Sequence, residues 1–319
     1  MKKLVYADNS ATTRLKPEVL NEMMPYLTEE YGNPSSIYSM SAAPKKAIED
    51  ARAKVAAAIG AEPSEIIFTS GATESDNWAI KGAAHTSPEG KKHIISSKIE
   101  HHAVLHSLKA LEREGFEVTY LDVDEWGRIN PDDVLNAIRE DTCLITIMYA
   151  NNEIGTIEPI SEIGKIAKEK GILFHTDAVQ AIGNVEINVK EENIDMLSLS
   201  AHKFYGPKGV GALYIRKGVK LFPYMDGGAQ ERKKRAGTEN TAGIVGLGKA
   251  IELACENIPA KTEKLAALRD ELIKIIEEKI PYVRLNGHRT ERLAGHVNMC
   301  FRFIEGDALL LSLDLVGIS

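Results

Sequence analysis

Short apolar runs and longer amphipathic stretches alternate through the middle of the chain. The runs lie at Glu65–Thr69, His93–Ser97, Glu117–Leu121, Leu144–Tyr149, Ile172–His175, Met196–Ser200 and Val210–Ile215. They are too short for buried helices and show little polar alternation, which predicts strands covered on both faces. Helical spacing between them predicts helices over Val104–Glu114, Pro131–Arg139 and Ile160–Glu169. This alternation predicts an α/β fold: a mostly parallel central sheet with helices on both faces. Ligands of such sheets sit beyond the carboxyl ends of the strands, so the residues just after each run carry the functional information.

From about Pro259 the pattern changes. An amphipathic helix is predicted over Glu263–Ile280, with Leu265, Leu268, Leu272, Ile275 and Ile276 as its buried stripe. A strand over His296–Phe303 and a helix over Gly306–Val316 follow. The expectation is a large domain over residues 15–258 and a smaller α+β domain made of residues 1–14 and 259–319. That smaller domain breaks off in mid-unit with an apolar edge unpaired, so a truncated chain is expected rather than a naturally short homologue.

Composition narrows the class. The 319 residues are 44% hydrophobic and 27% charged, an ordinary globular balance. A formal net charge of -7 gives no general attraction to nucleic acid or to an anionic membrane. No apolar stretch approaches the roughly 20 residues of a membrane span, and no signal-peptide region follows the first lysines. No nucleic-acid or membrane partner is expected, and a cytoplasmic location is the simplest. Cys143, Cys255 and Cys300 form no C-x-x-C pair and have no histidine at metal-ligand spacing. Cys143 and Cys300 fall in strand-like runs and read as buried structural thiols.

Several strand ends carry unusual polar groups. After Ile66-Ile67-Phe68 comes Thr69-Ser70-Gly71-Ala72-Thr73-Glu74-Ser75, small and hydroxyl residues opening a helix. Such a helix start offers free N–H groups to an anion, or is an ordinary cap with a glutamate behind it. Asp177 ends the run at Ile172 and could cap a turn or serve a ligand. Lys203 follows the run at Met196, and Gly206, Gly209 and Gly211 then turn the chain back. A lysine at the mouth of a sheet is costly to bury unless it is paired or reacts. Pyridoxal phosphate (PLP) requires a Schiff-base lysine, an acid for its pyridine nitrogen and a cradle for its phosphate. Lys203, Asp177 and the Gly71–Ser75 turn supply these in order, and the His101 ring could cover the cofactor.

With these segments in hand, the chain resembles the cysteine desulfurases of the NifS/IscS type, in the class V aminotransferase family. The resemblance rests on Asp8-Asn9-Ser10-Ala11-Thr12-Thr13, Tyr31-Gly32-Asn33-Pro34-Ser35-Ser36, Thr69–Glu74, Glu100-His101, Asn151–Thr156, His175–Gln180, Ser200–Lys203 and Arg235-Ala236-Gly237-Thr238. It implies the PLP-dependent transferase fold type I. It also implies Lys203 as the Schiff-base lysine and proton carrier, and Asp177 on the ring nitrogen. Gln180 would serve the ring hydroxyl, His101 would stack on the ring and shuttle protons, and Asn152 would sit beside ring and substrate. Ala72, Thr73, Ser200 and His202 would hold the phosphate, with Thr238 reaching the cofactor of the other subunit of a homodimer. The basic residues Arg232, Lys233 and Lys234 read as a solvated loop.

The implied reaction converts L-cysteine to L-alanine and passes the sulfur to an iron–sulfur scaffold or another acceptor protein. In the family the thiol that attacks the substrate sulfur lies on a loop beyond the Gly306–Val316 helix, as does an arginine for the substrate carboxylate. Neither has a counterpart in these 319 residues, and Cys300 falls on the wrong strand. The rival expectations are a selenocysteine lyase or another class V enzyme such as a transaminase, and a non-catalytic homologue that binds PLP and dimerises.

Overall fold

Apolar side chains on both faces of a central sheet organise the computed structural model, which describes residues 4–319. Helix α1 (Pro17–Met23), the single turn α2 (Pro25–Thr28) and the long α3 (Ala42–Ala58) lead into strand β1 (Ile66–Thr69). Then come α4 (Ala72–Thr86), β2 (His93–Ser97), α5 (His102–Arg113), β3 (Glu117–Leu121), α6 (Pro131–Ala137) and β4 (Thr142–Thr146). Next are α7 (Ile160–Lys170), β5 (Leu173–Asp177), β6 (Met196–Ser200) and β7 (Gly211–Ile215). The short α8 (Gln230–Lys233) precedes α9 (Thr241–Cys255), α10 (Ile258–Lys279), β8 (Val283–Leu285), β9 (Met299–Phe301) and α11 (Gly306–Leu315).

The 7-stranded sheet has the order β1-β7-β6-β5-β4-β2-β3. Only β7 runs against the others, so the mostly parallel sheet read from the sequence is present. Successive residues of each strand point to opposite faces. Ile66, Phe68, Ile95, Ile145 and Leu197 enter one core with α3, α7 and α9. Their neighbours Ile67, Ile94, Leu144 and Met196 enter a second core with Trp78 and Ile80 of α4 and Leu108 of α5. Two covered faces explain why the strands read as unbroken apolar runs. Burying each such side chain stabilises by about 1.5–3 kcal/mol.

The boundaries shift where the pattern overstates a strand. The run read as Leu144–Tyr149 pairs over Thr142–Thr146, and the one read as His296–Phe303 pairs only over Met299–Phe301. Near the carboxyl end two expectations fail. Cys300 is exposed, not buried. It pairs with exposed Arg284 on the open face of the two-stranded β8–β9 sheet, while Leu285 and Met299 turn inward. In α10 the buried positions are Ile258, Arg269 and Ile273, whereas Leu268, Leu272 and Ile275 are exposed. A guanidinium takes a place on the buried face, donating to the Leu293 carbonyl and to Asp270, so hydrophobicity alone aims the stripe one position off. Among the described residues no helix is long and apolar enough to cross a membrane.

Residues near the two chain ends meet. The amide of Val5 donates to the Gly317 carbonyl at 2.9 Å, and that of Ser319 to the Val5 carbonyl at 3.0 Å.

Candidate active site

Strands β1, β2, β4, β5 and β6 end at one edge of the sheet, and antiparallel β7 begins there. Thr69 at the end of β1 and Ser200 at the end of β6 both pair with Gly211 at the start of β7. A Cβ on Gly211 would stand 2.5 Å from the Leu199 carbonyl oxygen and 2.8 Å from the Cα of Gly71. A residue without a side chain at 211 is therefore what lets the turn before α4 rest on the sheet.

A cavity of about 830 Å³ opens beyond this edge. Ala72, Thr73, His101, Asn152, Asp177, Gln180, Ser200, His202 and Lys203 all line it. Thr238 does not. It borders a separate cavity of about 210 Å³, which shares Ser70 and Gly209 with the larger one.

Lys203 closes a single 3₁₀ turn directly after β6. Its Nζ donates to the carbonyls of Ser10 and Ala11, at 2.9 Å for the latter. Burial lowers its proton affinity below that of an ordinary lysine, although Asp177, Asp8 and Glu153 pull the other way. The segment carrying Ser10 is latched across the lysine turn. Thr13 donates its hydroxyl to the His202 carbonyl at 2.8 Å and accepts the Tyr205 amide at 2.7 Å. His202 Nδ1 lies 3.1 Å from the Thr12 hydroxyl, and burial, then Lys203 and Lys208, hold its imidazole below the usual histidine range.

Asp177 ends β5 on the cavity floor, 6% exposed. One carboxylate oxygen accepts the Val179 amide at 3.0 Å. Burial pushes its carboxyl up, while that hydrogen bond, His101 and Lys203 work against the shift. Gln180 donates to the Ser10 carbonyl at 3.0 Å. His101 caps α5, its Nδ1 accepting the Ala103 amide at 3.2 Å, which leaves the Nε2 edge as a donor. Asn152 donates to Glu153 at 3.0 Å.

The start of α4 decides between the two readings of the Gly71 turn. No side chain caps this helix. Glu74 accepts instead from the Ser70 amide at 2.9 Å and from Arg235, whose Nε lies 2.8 Å away. The first-turn amides of Ala72 and Thr73 are thus left facing the cavity, a cradle for an anion. Cradle, amine and buried carboxyl match the phosphate, aldehyde and ring nitrogen of PLP, so the residues present fit that cofactor.

Two buried acids beside the site were given no role from the sequence, although Glu100 lies in one of the segments that carry the resemblance. Asp76, one turn after Ala72 on α4, is fully buried and lines the same cavity. Glu100 accepts the Ser97 hydroxyl at 2.6 Å and the Met148 amide at 3.0 Å through one oxygen, and burial pushes it up to about 8. The signal for Asp76 is a carboxylate on the otherwise apolar face formed by Ala79, Ile80 and Ala83. None of the three cysteines lines the cavity.

Residues 5–319 match the family model described as aminotransferase class-V. A protein of Clostridium botulinum named cysteine desulfurase IscS is 61% identical over the whole of this chain, which spans 81% of that relative. A solved structure described as a NifS-like protein superposes with a TM-score of 0.96 at 42% identity, covering 99% of this chain and 87% of that one. A second, described as SspA in complex with cysteine, superposes with a TM-score of 0.85, also at 42% identity, over 98% of this chain and 86% of that one.

Proposed function

The chain belongs to the class V aminotransferase family and, within it, to the cysteine desulfurases, and from that membership we propose that it is a PLP-dependent enzyme that takes sulfur from L-cysteine and leaves L-alanine. The observation that carries the reading is the convergence of the Lys203 amine, the Asp177 carboxyl and the uncapped start of α4 on one cavity. PLP, when bound, supplies the electron sink that makes a proton on the substrate Cα labile.

The roles of the chain's own groups follow. Lys203, with its lowered proton affinity, anchors the cofactor and then takes and returns the Cα proton. Asp177 holds the proton on the ring nitrogen. The Ala72 and Thr73 amides, with Ser200 and His202, bind the phosphate. His101 flanks the ring and can relay a proton through Nε2, giving one up as it regains another, Gln180 serves the ring hydroxyl, and Asn152 borders the substrate.

Thr238 fits this scheme as a contact to the cofactor of a second copy, which makes the working unit a homodimer. Residues 15–258 form the cofactor-binding domain in this reading, and the two ends, residues 1–14 and 259–319, together form the small one. The pairing of Val5 with Gly317 and Ser319 supports that grouping. An iron–sulfur scaffold or another sulfur acceptor completes the reaction, in the cytoplasm.

Titration of the purified protein with PLP tests the reading. It should produce a visible absorbance band that Lys203→Ala abolishes. Added L-cysteine, with excess thiol in solution to accept the sulfur and then reduce the resulting persulfide to sulfide and disulfide, should give equal amounts of alanine and sulfide. A folded protein without the band would overturn the site, and conversion of the cofactor to its amino form by amino donors would make the enzyme a transaminase.

A further inference from the structure

Asp76 is a buried acid with nothing in the scheme above to do. It projects from α4 towards β5, where its carboxylate lies 3.6 Å from Nε2 of His175. Neither of its oxygens has a well-formed hydrogen bond, although the Ser198 hydroxyl of β6 lies alongside. His175 is no cationic partner. Its Nδ1 meets the Thr146 hydroxyl at 2.9 Å, its Nε2 meets Ser198 at 3.0 Å, and complete burial holds the ring neutral.

Residues two apart on a strand share a face, so Asp177 is the next residue beyond His175 on the side facing α4. Both acids line the floor of the same cavity. Glu100, a third buried acid beside them, is itself raised to about 8 by burial and so brings no compensating cation. The cation here, Lys203, acts on Asp177 and not on Asp76. Asp177 raises the proton affinity of Asp76 across that floor, and two buried carboxyls that repel each other do not both ionise.

We propose that Asp76 is a positioning residue: it holds the single proton of a buried Asp76–Asp177 carboxyl pair and so leaves the negative charge on Asp177. The charge is thereby fixed at the cavity floor before any ligand arrives. That it then meets the ring nitrogen of PLP rests on the function proposed above, whereas the protonation of Asp76 does not.

Infrared difference spectroscopy on the full chain without cofactor, at neutral pH, tests the pair. Asp76→Asn should remove one protonated-carboxyl band, recognised by its shift in heavy water, and Asp177→Asn should leave that band in place. Glu100→Gln identifies the separate band of Glu100. Loss of the band in Asp177→Asn with retention in Asp76→Asn would reverse the assignment, and absence of the band from the wild type would overturn it. Should a variant fail to fold, carbon-13 aspartate labelling of the wild type gives the same answer. One buried aspartate resonance should keep its protonated shift from mildly acid to mildly alkaline pH, and two ionised resonances would sink the proposal. Failure to bind PLP would strike the proposed function and leave this result untouched.

Discussion

Lys203 and Gln180 donate to the same acceptor, the carbonyl oxygen of Ser10. The reactive amine is therefore held by backbone from the other end of the chain, and must leave that carbonyl to join a cofactor. Only its unprotonated form can attack an aldehyde, and burial makes that form accessible at lower pH than usual. The rate of PLP attachment, followed by stopped-flow absorbance, should rise with pH and level off below 10.5, the ordinary lysine value. A plateau at or above that value would show the amine to be unperturbed.

Arg52 of α3 and Glu231 form a bidentate pair, both contacts 2.9 Å, with both side chains buried. Glu231 also accepts the Phe68 amide at 3.0 Å. Glu231, Arg232 and Lys233 all have left-handed backbone, a strained run for residues with side chains, and the pair pins it beside Thr238. Removing one partner strands a buried charge, so Arg52→Ala or Glu231→Ala should destabilise by about 3–5 kcal/mol in urea unfolding. Because the loop also carries Thr238, each variant should lose PLP affinity more than a surface control such as Lys46→Ala does.

Much of this fold was legible because both sheet faces are covered: apart from the partly exposed edge strand β3, the strands between Ile66 and Ile215 are buried nearly throughout and stand out as short runs. Lys203 and Asp177 were legible for the complementary reason, as ionisable groups where those runs stop. What escaped depended on tertiary context. Cys300 sits in an apolar pattern, but its small sheet is covered on one face only. The stripe of α10 was misaimed because Arg269 is buried through hydrogen bonds that hydrophobicity does not register. Asp76 resembles an ordinary helical acid until the packing of α4 on β5 shows it to be fully buried. Thr238 stays outside the larger cavity and borders the smaller one, which the local motif Arg235–Thr238 does not reveal.

Glu100 gives the molecule a pH signature. Its carboxyl is raised from 4.5 to about 8 in the fold, so the unfolded chain releases this proton first. The stabilising contribution is complete below 4.5 and is lost as pH rises towards 8. His175, lowered from 6.5 to about 3, acts oppositely and weakens the fold as pH falls below 6.5. Glu100 is therefore read between pH 6.5 and 8, above the range in which His175 contributes. There unfolding free energy should fall with a slope of up to about 1.4 kcal/mol per pH unit from this group. Glu100→Gln keeps an oxygen for Ser97 and Met148 and should flatten the slope, read from denaturant midpoints across the window. Glu158, also raised to about 8, and Asp76, raised well above the carboxylate range by burial, supply a residual slope that Glu158→Gln should reduce in part.

The cysteines separate by reactivity. Cys300 is exposed, with the Asn286 amide 3.1 Å from its sulfur, and a disulfide reagent reaches it from solvent. Cys143 is buried in β4 beneath the sheet's second core, and burial pushes its thiol up to about 11. The thiolate is the reacting species, so both access and ionisation protect Cys143. Cys255, half-buried at the end of α9 and likewise raised by burial, should fall between them. In native protein a colorimetric thiol assay should show a fast phase that Cys300→Ser deletes, with Cys143 reacting only on unfolding. A fast phase surviving Cys300→Ser would mean that the open face of the β8–β9 sheet is covered and that another thiol is exposed.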